Sequence, residues 1–265
     1  IKLTNSSENE AVITVDNMSP IIMLGHATTQ NAEFNVEISN IKIIGDGANA
    51  WAGISTNGTY KNSPYFKVSV KNCVIDGETS AGVYLPGGYT YKFEDCTISG
   101  YTAYYTKGGT HELKNCTLVA RGNTYNNPIY NNNGADETGS ALVLDSASGY
   151  PEPLGMTIDG GSFSSVAGFA VEEYATSANG IDKFYSTLTI KKNPSYSYGA
   201  GKTALSIPQF MVSDCVENAE TIMDQLFDAT YNKSSVLGTQ KTYNLEDLRE
   251  KINDVDICIS EKLFE

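Results

Sequence analysis

The chain has 265 residues with 18 Lys plus Arg against 31 Asp plus Glu, a formal net charge of -13, so it lacks the basic footprint of a nucleic-acid binder. At 40% hydrophobic and 18% charged, with 24 Gly and 17 Tyr, the composition suits one elongated β-rich domain with an appendage, not a disordered or collagen-like chain. No apolar run approaches the roughly 20 residues that cross a bilayer. The negative field disfavours acidic polysaccharides, which makes a neutral glycan or a surface protein the expected partner. The sequence begins at Ile1 without a signal-peptide pattern, so any targeting segment is expected to lie outside it.

In chain order, one pattern recurs: EISNIKI from Glu37, SVKNCVI from Ser69, KFEDCTI from Lys92 and ELKNCTL from Glu112. Weaker copies follow as TIDGGSF from Thr157 and TIKKNPS from Thr189. With Asn40, Asn72, Asp95, Asn115, Gly160 and Lys192 equivalent, the steps are 32, 23, 20, 45 and 32 residues. The shortest step is one bare coil. The longer ones carry insertions, the largest being the Asn-rich, exposed stretch from Gly122 to Thr138.

A second strand recurs within each step: AGIST from Ala52, AGVYL from Ala81, TAYYT from Thr102, SALVL from Ser140, GFAVE from Gly168 and TALSI from Thr203. Two strand types per coil, with turns and no amphipathic helices between them, favour a solenoid over a sandwich or a doubly wound α/β sheet. Ile38, Val70, Phe93, Leu113, Ile158 and Ile190 should form one buried file, and Ile43, Ile75, Ile98, Leu118 and Phe163 another. Asn, Asp and Gly at the corner between the files suit a left-handed backbone. Cys73, Cys96 and Cys116 share one repeat position with rungs about 4.8 Å apart. That spacing fits a disulfide poorly, so buried free thiols are expected. No Cys/His spacing suggests zinc, and Cys215 and Cys258 have no evident partner.

The fold expected is all-β: a right-handed single-stranded parallel β-helix of about six coils. It would cover 1–207, with 1–35 as an N-terminal coil or cap. After Ile207 the pattern turns helical. Ile222, Met223, Leu226 and Phe227 make one face, Asn244 caps a helix, and the strand VDICIS follows. Residues 208–265 therefore read as a short α-containing C-terminal tail that caps the open end, or serves self-association.

From Val36 to Ile207 the corner and the stacked files resemble the pectate-lyase-like β-helix superfamily. That resemblance implies an architecture and an affinity for glycans; the superfamily includes polysaccharide lyases, glycoside hydrolases, phage tailspikes and bacterial adhesins. Its lyases imply acidic calcium ligands with an Arg or Lys base, for which Arg121 at the start of the long loop is the available arginine. The polygalacturonase-like motifs, Asn-Thr-Asp, Asp-Asp, Gly-His-Gly and Arg-x-Lys, do not occur.

Two sets of residues remain as site candidates. Lys107, Asp145 and Glu172 align on successive second strands. As a charged column they would supply an acid and nucleophile pair or a calcium site, or form a solvated rim in which Lys107 offsets two acids. Tyr84 and Tyr105 align on the outward side of neighbouring second strands, with Tyr125, Tyr130 and Asn131 in the long loop. Together they would stack on sugar rings and hydrogen-bond hydroxyls. His26 and His111 read as structural histidines. The sequons at Asn5, Asn57, Asn115 and Asn232 carry no weight, Asn115 being expected in a buried corner.

The expected function is a secreted or cell-surface binding module, non-catalytic and without a cofactor, recognising glycan through the Tyr- and Asn-rich face. The rivals are a polysaccharide lyase or glycoside hydrolase with a non-standard acidic site, and a structural spacer or adhesin stalk.

Overall fold

The computed structural model describes residues 1–7, 9–15, 20–24, 34–45, 52–56, 66–126, 137–145, 154–174, 187–206 and 211–213. These residues are all-β, without a helix, and every strand pair is parallel within one 13-stranded and one 7-stranded sheet. Among them no helix is long and apolar enough to cross a membrane. Of the tail predicted over 208–265, Met211–Ser213 is described and pairs with Thr187–Thr189 in the large sheet; the predicted helices, final strand and Cys215 and Cys258 lie outside the described residues.

The chain alternates between the sheets. Phe66–Lys71 and Val74–Asp76 lie in the large sheet and Ala81–Leu85 in the small one; Thr90–Glu94 and Thr97–Gly100 return to the large sheet, and Tyr104–Thr106 to the small one. Parallel neighbours cannot be joined by a hairpin, so each pair in one sheet is linked through a strand of the other. The N-terminal segment follows the same plan. Lys2–Thr4 pairs with Phe34–Ser39, Val12–Val15 with Lys42–Gly45, and Ile22–Leu24 with Ala52–Thr56.

The expected files are present in register. Ile38, Val70, Phe93, Leu113, Ile158 and Ile190 pair in succession, as do Ile43, Ile75, Ile98, Leu118 and Phe163, all of them buried. In Phe66–Lys71 burial alternates residue by residue, the period-2 signature of a sheet with one face on a core. Between the files the backbone turns through left-handed residues: Asn40 (φ 58), Asn72 (φ 50), Asp95 (φ 53), Asn115 (φ 51) and Gly160 (φ 71). Such conformations cost least at Gly, Asn and Asp, which explains the repeat's invariant feature. The side chains also link successive corners, Asn72 Nδ2 donating to Asn40 Oδ1 at 3.3 Å and Asn115 Nδ2 to Asp95 Oδ1 at 2.8 Å. Asn115 is exposed, not buried as expected, because the corner turns its side chain outward.

Lys192 is not the sixth corner. The register shifts between Ile158 and Asp159, so Asp159 pairs with Lys192 and the last repeat carries one extra residue before Ser162 pairs with Ser195. Cys73, Cys96 and Cys116 are buried free thiols. Each is aimed at main-chain oxygens, for example Cys116 Sγ to Phe93 O at 3.4 Å.

Candidate functional site

The small sheet has an inner face on the core and an outer face away from it, and the sequence candidates gather on the outer one. Tyr84, Tyr105, Val143 and Glu172 form one row across neighbouring strands. The Tyr84 and Tyr105 rings lie 5.6 Å apart, as their alignment predicts. They are not an exposed platform: Tyr84 is 6% exposed and Tyr105 0%, within a second apolar cluster with Ala52, Ala81 and Val143. A direct stack of sugar on these rings is therefore corrected by their burial.

The charged column is also corrected. Tyr105 pairs with Val143 and Thr106 with Leu144, which brings Lys107 beside Asp145; Asp145 itself pairs with Tyr174, and Glu172 pairs with Val143 two residues earlier. Lys107 Nζ lies 3.2 Å from Asp145 Oδ2, with both side chains almost wholly buried, so neither belongs to a solvated rim. Tyr105 OH donates to the same oxygen at 2.9 Å. With strands about 4.8 Å apart and a slip of two residues, the Asp145 and Glu172 backbones are about 8 Å apart. They are therefore diagonal neighbours, and each carboxylate has its own set of donors.

Glu172 has its own donors. Thr138 Oγ1 and Ser140 Oγ each donate to Oε2 at 2.6 Å, and Tyr125 OH donates to Oε1. Ser140 Oγ in turn accepts from Phe169 N at 3.0 Å, and Thr138 Oγ1 from Ser140 N at 3.2 Å. Burial pushes the Glu172 carboxyl above the usual carboxylate range, and the three hydroxyls and the nearby Lys202 ammonium hold it down only in part. Tyr125 lies at one foot of the long insertion and Thr138 at the other, so a single carboxylate ties both. Asn126 closes the neck: its N–H donates to Thr138 O at 3.0 Å and its Nδ2 to Glu137 O at 2.9 Å. Tyr101 OH donates to Thr124 O at 2.6 Å. Tyr130 and Asn131, beyond this neck, lie outside the described residues.

Sequence reasoning missed Phe169 and Lys202. Lys202 Nζ sits 3.4 Å from the Tyr125 ring centroid and 4.8 Å from that of Phe169, and the two rings meet edge to face at 5.5 Å. No local motif signals this cluster, because its members come from three separate stretches of chain.

Among the described residues no three His, Cys, Asp or Glu side chains gather to hold a metal. Asp145 Oδ2 already meets an ammonium and a phenol, whereas both Glu172 oxygens accept from hydroxyls. Arg121 is held by Asp76 through both terminal nitrogens, Nη1 donating to Oδ2 at 2.9 Å. His111 is buried in the core, where its partners are structural, and His26 lies outside the described residues. No family model, curated protein or solved structure matches this chain.

Proposed function

We propose that the two parallel sheets wind as a right-handed parallel β-helix of the pectate-lyase-like kind, and that the protein is a secreted or cell-surface module binding glycan without cleaving it. Alternation of the chain between two all-parallel sheets supports the helix, and parallel crossovers are right-handed in about 98% of cases. The binding reading rests on one observation: the Asn- and Tyr-rich insertion leaves the sheet through a neck fastened to buried Glu172 at both feet. A neck so held gives the insertion a fixed base, which binding loops need. The non-catalytic reading is supported by the acids themselves, since Asp145 and Glu172 are engaged by donors from the protein and withdrawn from solvent.

The test is titration of neutral oligosaccharides against the protein and against a variant with residues 127–136 replaced by two glycines. Binding that disappears in the variant, with an unchanged melting temperature, is the expected result. Binding that survives the replacement would remove the insertion from the proposal. Release of reducing sugar or of an unsaturated product would overturn the non-catalytic part.

A further inference from the structure

We infer that Tyr125, Phe169 and Glu172 form a recess for an organic ammonium, that Lys202 fills it as a tethered occupant, and that the free ligand is the amino group of a deacetylated hexosamine. This rests on the glycan reading above and deepens it. Two aromatic faces meeting at 86° around a cation, with a carboxylate bound to one of the rings, have the composition of an ammonium-binding cage. Tyr125 and Phe169 are both half-buried, so the recess is reached from solvent, whereas Glu172 beneath them is 2% exposed.

The occupant is carried on a turn with an exposed tip. Lys202 ends the turn, which is closed by Lys202 N donating to Gly199 O at 3.0 Å; Ala200 and Gly201 are exposed and Gly199 is buried. Gly201 within it has φ +73, and nothing lies within 4 Å of where its side chain would begin. Displacement exchanges one ammonium for another, so the aromatic contacts and the nearby negative charge of Glu172 are kept. Burial pulls the Lys202 pKa below the ordinary lysine value while the Glu172 carboxylate opposes that fall, so the ammonium is held against a desolvation cost.

An amino sugar fits better than a neutral sugar for three reasons. Its ammonium matches the cage, the apolar face of its ring stacks on an aromatic, and a polymer carrying many such groups is drawn to a chain of net charge -13. Tyr125 is itself a foot of the insertion, so the recess adjoins the neck from which that loop leaves.

The experiment titrates a glucosamine tetramer, the matching N-acetylglucosamine tetramer and N-acetyl-lysine amide against wild type, Lys202→Ala and Lys202→Ala with Phe169→Leu, with thermal melts to verify folding. Removing the tethered competitor should tighten glucosamine binding about tenfold. The added Phe169→Leu should cancel that gain. Lys202→Ala binding no tighter than wild type would overturn the inference, leaving Lys202 as a clamp on the neck. Equal binding of the acetylated tetramer would overturn the ammonium requirement while preserving the glycan reading. Preference for the lysine amide would replace the sugar with a peptide. Loss of every glycan would sink both proposals together.

Discussion

Three successive residues, Tyr104, Tyr105 and Thr106, divide between two buried environments that the small sheet separates. Tyr104 and Thr106 face the core and His111: Tyr104 OH lies 2.8 Å from Nδ1 and Thr106 Oγ1 2.8 Å from Nε2. Gly108 O, which can only accept, lies 2.9 Å from Nε2, so Nε2 carries the proton and Nδ1 accepts from Tyr104. The imidazole also stacks at 4.6 Å on Tyr91 of the neighbouring large-sheet strand, and its bonds to Tyr104 and Thr106 tie the two sheets together. Tyr105 faces the other way, toward an ammonium and a carboxylate. The core thus holds its polar groups neutral and the outer face holds its groups charged. Both are satisfied, but one arrangement depends on a missing charge and the other on a balanced pair.

Removing half of the pair is the strongest way to test that division. Asp145→Ala leaves the Lys107 ammonium buried without its carboxylate and Tyr105 without its acceptor, a loss of about 3–5 kcal/mol by chemical denaturation. Replacing both partners with apolar residues, Lys107→Met with Asp145→Leu, should recover most of that stability. A single variant as stable as wild type would show that the pair is open to water in solution.

The core's dependence on neutrality appears as a pH effect. Burial pushes His111 down from 6.5 to about 4, so the folded state resists the proton that the unfolded chain takes up readily. This contribution is fully present above pH 6.5 and is lost as pH falls toward 4, on the order of 3 kcal/mol. Urea unfolding of wild type and His111→Met across that window should converge as pH falls, the variant lacking the His111 term. Parallel curves would mean that the ring is already protonated in its network.

The inner face was the more legible in the sequence, for a physical reason. Its files follow a period of two fixed by the strand, and its corners require residue types that tolerate positive φ, so Asn72 and Asp95 announce their positions locally. The outer face obeys no such rule. Glu172 slips two residues from Asp145, and the turn before its strand is held by side-chain bonds that no spacing encodes, Ser165 Oγ donating to Gly139 O and Phe169 N donating to Ser140 Oγ. The burial of Tyr84 and Tyr105 depends on what covers the sheet, and the Lys202 contact joins residues far apart in sequence. Site candidates were therefore found by type while their roles were not.

The smallest expected effect separates two kinds of buried acid on the outer face itself. Glu172 has no cation bonded to it as Asp145 has, and its raised pKa means that the folded state favours the protonated form. That contribution is fully present below the unfolded value of 4.5 and is lost as pH rises through the folded pKa, the opposite direction to His111. Glu172→Gln removes the buried charge yet keeps the bonds: its carbonyl can accept from Thr138 and Ser140, and its amide can donate to Tyr125, whose oxygen then accepts. The variant should match or exceed wild type at pH 7 by up to about 1 kcal/mol, with the advantage vanishing near pH 4.5. A variant that loses stability at pH 7 would show that the three hydroxyls and Lys202 hold the charge more firmly than burial opposes it. Glu172 would then be an acid stabilised in its ionised form.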